Sequence, residues 1–362
     1  MTPRELRRLL LTRAGLASAT LASGSLAGGG ALAGTAFAGA TGAASATAIE
    51  SDEPFWFGFI GDTPYSRLEE GAARRVLDAM SQEPLQFVLH VGDIKSSVER
   101  CDDGLLSSRL EMLGQCAHPL ILTPGDNEWT DCNRSLAPWA AGGRLERLDW
   151  LRRQVYGQAQ SLGLRRMVLT QQGTYAPRLP EHNGEIGSLL PVEPPRLPEN
   201  LRWRIGSLQF CTLHVVGSNN APRRTPELAQ AWSMRQEANG AWLYETVELA
   251  IRQGAKGLAI AMHANMRFDD NRSDGWERMR QLVVAASVAF DGPVLLLHGD
   301  THHFRTDQLL LRSHGLANLR RVECFGSPFS SSWVQVRWNP ALAFAGTGND
   351  SNPFHVSIRS LP

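Results

Sequence analysis

This sequence has no surplus of charge of either sign: 36 Lys and Arg are balanced by 36 Asp and Glu. Bulk electrostatics therefore gives no reason to expect nucleic acid or an anionic membrane as a partner. Its five cysteines include no Cys-x-x-Cys pair, which argues against a zinc knuckle or a thioredoxin-like site. No glycine-rich loop runs into Lys-Ser/Thr, and neither Gly-x-Ser-x-Gly nor His-Glu-x-x-His occurs. Nucleotide hydrolysis on a phosphate loop, a serine nucleophile elbow and zincin chemistry thus lack their signatures. Nothing repeats at a fixed period, which excludes solenoids and propellers. The tryptophans are scattered (Trp56, Trp139, Trp203, Trp232, Trp242) and read as core or lid packing, not as a platform for stacking bases.

What is present falls into two unequal parts. Residues 1–48 place Arg7 and Arg8 just before leucines, then continue as an Ala/Gly/Ser/Thr-rich stretch with almost no charge. The stretch is too mildly apolar for a firm membrane anchor. Ala36-Phe37-Ala38 and Ala46-Thr47-Ala48 both offer the small-x-small pattern of a cleavage site. The segment resembles a twin-arginine export signal, which implies transient contact with that export machinery and a periplasmic or secreted bacterial protein. Residues 49–362 then read as a single domain.

In that domain short apolar runs alternate with amphipathic stretches. Strands are expected at 55–60, 86–91, 119–123, 208–216, 257–262 and 293–297. Helices are expected at about 67–80, 105–115, 144–156, 226–252 and 276–290. The early β-α-β-α-β order argues for a largely parallel sheet with helices outside. An irregular insertion is expected at about 134–200, including a Gly/Pro-rich tract from Gly173 to Pro198; such tracts shape pockets more often than they link domains. The tail (Arg321–Phe325, Trp333–Trp338, Phe354–Ile358) alternates with period two and reads as antiparallel β.

The apolar runs end in chemistry. The first ends in Gly61-Asp62, the second in Gly92-Asp93, and the third in Pro124-Gly125-Asp126-Asn127-Glu128. A later run ends at His263 and another in His298-Gly299-Asp300-Thr301-His302. In α/β sheets the loops at the carboxyl ends of strands gather side chains from distant sequence into one crevice. Four carboxylates and two imidazoles collected there repel and desolvate one another unless cations hold them. Alone, any one of these aspartates could simply cap a helix or stabilise a turn.

The five blocks in this order resemble the calcineurin-like metallophosphoesterases, including the purple acid phosphatase branch. The resemblance covers about residues 55–304 and implies a four-layer α/β/β/α sandwich of two mixed sheets. It also implies two metal ions about 3.5–4 Å apart and attack of a metal-bound hydroxide on a phosphomonoester or phosphodiester. By position, Asp62 and His302 would bind the first ion and Asp93 would bridge both. Asp126 (for asparagine), His263 and Asp300 (for histidine) would bind the second.

The departures bear on chemistry. Pro64 stands where the family has a ligating histidine, and Tyr65 is the next residue able to fill the gap. Asn127 replaces a histidine that would steady substrate or protonate the leaving group, and an amide is no acid near neutral pH. Extra aspartates harden the site, favouring Mn, Fe, Mg or Ca over Zn, in divalent or mixed-valence form. Arg134 could clamp phosphate oxygens, Asn219 and Asn220 could contact substrate, and His303 or His298 could donate a proton. Glu128 reads as a supporting or capping group, and His90, His118 and His214 as core histidines. The alternative reading is a metal-binding protein on the same scaffold with weak or no catalysis. Cys101 and Cys132 lie in the loops after Asp93 and Asp126, where adjacent strands would bring them together as a disulfide.

Overall fold

The computed structural model describes residues 52–132, 143–173, 197–268, 273–343 and 352–361. The export segment, Arg134 and most of the Gly/Pro-rich tract lie outside the described residues. The chain opens with β1 (Phe55–Ile60), α1 (Arg67–Ser81), β2 (Leu85–His90), α2 (Asp103–Gly114) and β3 (Leu120–Leu122). Next come α3 (Arg144–Val155), β4 (Thr170–Gln171), β5 (Leu201–Ile205), β6 (Leu208–Thr212) and α4 (Pro226–Arg252). The remainder is β7 (Gly257–Ala261), α5 (Glu277–Phe290), β8 (Val294–His298), β9 (Arg305–Asp307), β10 (Leu319–Glu323), β11 (Ser332–Trp338) and β12 (Phe354–Ser360).

The strands form two mixed sheets, ordered β12-β11-β1-β2-β3 and β4-β5-β6-β7-β8-β10-β9. β1, β2 and β3 are parallel in the first sheet, as are β6, β7, β8 and β10 in the second. The inner faces meet through aromatic rings. Phe57 stacks on Phe87, and both meet the ring of Phe210 edge-on at 5.5 and 5.2 Å. α1 covers the outer face of the first sheet with Ala73, Val76, Leu77 and Met80, a helical-period stripe. α4 and α5 cover the second with Trp242, Leu243, Val247, Met279 and Val283. The result is the expected four-layer α/β/β/α sandwich.

Three local expectations are corrected. The tail is antiparallel only in part: β11 and β12 pair antiparallel beside β1 in the first sheet, whereas β10 lies in the second sheet, antiparallel to β9 but parallel to β8. Alternation reports one buried face and is silent on partner or direction. β5 was not anticipated, although Leu201, Trp203 and Ile205 are buried and Arg202 and Arg204 half-buried. The run expected at 208–216 ends as a strand at Thr212; residues 213–216 continue as buried chain leading to the site. No helix among the described residues is long and apolar enough to cross a membrane.

His90, His118 and His214 are all buried and hydrogen-bonded, to Thr63 O, Met80 O and the Glu199 carboxylate. Burial holds His214 down at about 4 despite Glu199, which also takes two bonds from Arg152. The unfolded chain takes up a proton at this histidine below its ordinary 6.5, whereas the folded chain does not until about 4. Its contribution is therefore complete above that ordinary value and is lost as pH falls towards 4. His214→Gln should lose about 2 kcal/mol less stability than the wild type between pH 7 and pH 5, read by urea unfolding. Equal losses would mean that His214 is charged in the folded state.

Candidate metal centre

The carboxyl ends of β1, β2, β3, β7 and β8 bring Asp62, Asp93, Asp126, His263 and Asp300 together. Ligand atoms of Asp62, Asp93 and His263 lie within 4.8 Å of one another, and so do those of Asp126, His263 and Asp300. His263 is shared: its Nε2 is 3.1 Å from Asp126, 3.6 Å from Asp93 and 3.9 Å from Asp300. His263 Nδ1 faces Val91 O at 2.9 Å, which aims Nε2 at the carboxylates. His302 sits at the other end, with Nε2 3.6 Å from Asp62 and Nδ1 2.7 Å from Ser327 O.

None of Asp62, Asp93 or Asp126 caps a helix; that work belongs to Ser66 and Asp102 for α1 and α2. Asp62, Asp93, Asp300 and His302 instead adopt positive φ values of 52°, 57°, 82° and 65°. Such conformations cost energy in non-glycine residues and persist where the surroundings hold them, often at functional sites. The loops also touch too closely for side chains. A Cβ on Gly326 would lie 2.5 Å from Asp62 Cβ, and one on Gly217 would lie 2.6 Å from Asp300 Oδ1.

Tyr65 occupies the centre. Its hydroxyl donates to Asp93 Oδ2 at 2.6 Å, lies 3.1 Å from His302 Nε2, and accepts from Asn127 Nδ2 at 3.1 Å. Asn127 also donates to Asp93 from its backbone at 2.9 Å and from its amide at 2.6 Å. Burial, then the charges of Asp93 and Asp62, pushes the Tyr65 phenol far above its usual range. Glu128 Oε1 accepts from Ile94 N at 2.8 Å, tying the loop after β3 to the loop after β2. The Cys101–Cys132 disulfide joins the same two loops, with Cα atoms 5.4 Å apart.

The electrostatics test whether these groups suit a cation. Burial pushes Asp62 up to about 7, Asp300 up to about 6 and Asp93 well above the carboxylate range, and the neighbouring carboxylates add to each shift. Burial opposes charge on His263, yet Asp93 and Asp126 raise its pKa well above the usual value. Lys95 is fully buried nearby, but its ammonium donates to Ser96 O at 2.8 Å. Two imidazoles, His263 and His302, and one lysine cannot balance Asp62, Asp93, Asp126, Asp300 and Glu128, so the cluster must hold protons or metal ions. The donor set suits hard cations.

The other sequence candidates fall elsewhere. Asn220 is fully buried; its amide donates to Gln236 and Gly275 O, and its Oδ1 accepts from Arg235. It is a framework residue and cannot reach substrate. Asn219 is exposed and accepts from Gly275 N at 2.7 Å. His303 is exposed with its ring towards Phe329, outside the carboxylate cluster. Buried His298 faces Gly299 O and is held down at about 3 by burial, so it is a poor proton donor. The residue that sequence reading missed is Ser218, whose hydroxyl donates to Asp126 Oδ2 at 2.6 Å. Its one signal was Gly217 directly before it, at the end of a buried run.

No family model matches the sequence, and no curated protein matches it. Solved structures do. A dimetal phosphatase from Danio rerio is 13% identical, over 78% of this chain and 92% of its own, with a TM-score of 0.43. GAP50, described as the anchor in the inner membrane complex of Plasmodium, is 10% identical, over 85% and 84%, with a TM-score of 0.45. A purple acid phosphatase from yellow lupin (Lupinus luteus) seeds is 11% identical, over 86% and 54%, with a TM-score of 0.38.

Proposed function

We propose that this chain is a metal-dependent phosphoesterase of the calcineurin-like kind, hydrolysing a small phosphomonoester or phosphodiester. The observation that carries the reading is the pair of three-residue groups that share His263. Asp62 and Asp93 of the first group would hold one ion, with His302, whose Nε2 lies 3.6 Å from Asp62 though outside either group, completing it and the Tyr65 hydroxyl beside them. Asp126, His263 and Asp300 would hold a second, with Asp93 reaching both. When bound, the ions would activate a water molecule and offset charge on the phosphoryl group. Oxygen donors outnumber nitrogens, which favours Mn, Mg, Ca or ferric iron over zinc.

The chain's own residues would bind and orient the ester. The Asn127 amide and the Tyr65 hydroxyl are neutral groups beside Asp93; their donors, engaged by Asp93 and by each other, would turn to phosphate oxygens once ions take over Asp93, without adding charge. Arg134, outside the described residues, is the candidate clamp for the remaining oxygens. The Cys101–Cys132 disulfide supports a working compartment that is oxidising, as export would provide.

One feature favours a second reading, a metal-binding protein with little turnover. Asn127 supplies no proton for a leaving group, and His303 points elsewhere. Protein loaded with Mn²⁺ should hydrolyse an aryl phosphate with a good leaving group, and chelation should abolish it. Bound metal without turnover, in the wild type and in Asn127→His alike, would favour the binding reading instead.

A further inference from the structure

Residues 218–221 are four consecutive non-glycine residues with positive φ: 50°, 57°, 59° and 71°. L-residues visit this region singly, so a run of four is strained and needs external support. The support comes from α4. Arg235 is buried, and among the described residues no carboxylate pairs with it. Its guanidinium donates instead to Asn220 O at 2.7 Å, to the Asn220 amide oxygen, and to His214 O at 3.1 Å. Gln236 and Gly275 hold the Asn220 amide from the far side. A cation that stacks on Trp129 and sends these hydrogen bonds to carbonyl oxygens fixes backbone geometry.

The strained run faces the metal centre. Gly217 lies so near the Asp126 and Asp300 carboxylates that a Cβ would sit 2.9 Å from Asp126 Oδ1 and 2.6 Å from Asp300 Oδ1. Ser218 Oγ then donates to Asp126 Oδ2 at 2.6 Å, while Asp126 Oδ1 faces His263 Nε2 at 3.1 Å. A carboxylate with one oxygen engaged from behind presents the other in a fixed direction, which is how outer hydrogen bonds tune metal ligands.

We propose that segment 217–221, braced by Arg235, is a positioning device. Through Ser218 it fixes Asp126 so that Oδ1 is presented to the second of the two ions. The proposal rests on the two-ion reading above, and its test separates the two. Ser218→Gly removes the hydroxyl but suits a left-handed backbone, so the fold is not put at risk. Titrating Mn²⁺ into wild type and variant by calorimetry, with melting temperatures alongside, reads each binding step. The expected result is two steps in the wild type. In the variant the first step is unchanged and the second about tenfold weaker, with an equal or higher melting temperature. Arg235→Lys, which lacks the planar fork, should weaken the same step. Two unaltered steps in Ser218→Gly, or equal weakening of both, would overturn the proposal and leave the two-ion reading standing. A wild type that binds fewer than two ions would overturn both.

Discussion

Asp93→Asn is expected to lower turnover of an aryl phosphate by about three orders of magnitude, and to leave one bound ion in place of the two proposed for the wild type. Both oxygens of Asp93 point into the centre: Oδ1 towards His263 at 3.6 Å, Oδ2 towards Tyr65 at 2.6 Å. An amide keeps the shape but removes the charge and replaces one acceptor with a donor, so it serves two cations poorly. A loss of about 4 kcal/mol in transition-state stabilisation corresponds to that rate. The loop should survive, because Asn127 N can still donate to the remaining oxygen. Steady-state kinetics with metal analysis checks both parts. Activity within tenfold of the wild type would remove Asp93 from its bridging role.

Metal should also act on stability, and strongly. Without ions, the buried carboxylates of Asp62, Asp93 and Asp126 and the half-buried carboxylate of Asp300 lie against one another with His263 as their nearest cation. The unfolded chain cannot assemble the same set of ligands, so ions that bind the folded state stabilise it by mass action. At a thousandfold excess over the dissociation constant, each site contributes about 4 kcal/mol. Adding Mn²⁺ to chelator-treated protein should therefore raise the melting temperature by several degrees. NaCl at matched ionic strength should not, because screening does little for buried charge. Equal responses to the two salts would mean that no specific site exists.

Much of this was legible in the sequence for one physical reason. A buried parallel strand must be a short apolar run, and the residue that follows it must fall at the sheet's carboxyl edge. Asp62, Asp93, His263 and Asp300 were therefore placed by local pattern alone. In the sequence, Tyr65 is no more than a residue able to fill the gap left by Pro64. Its central position depends on the path between β1 and α1, which no periodicity records. Segment 217–221 shows the limit most clearly. By position Asn219 and Asn220 could contact substrate, but the strained backbone turns Ser218 inward and Asn220 towards Arg235. Backbone strain is created by tertiary contacts, here from a helix that begins several residues later, so the sequence carries little trace of it. The division of the tail was hidden for a similar reason, since alternation in β10 and β11 is the same in either sheet.

The central claim is that side chains from five remote strand ends are arranged to hold two ions. Anomalous diffraction from crystals of the protein grown with Mn²⁺ tests it directly. Two peaks are expected, one bounded by Asp62, Asp93 and His302 and the other by Asp126, His263 and Asp300. A saturated crystal with no anomalous density between those residues would contradict it.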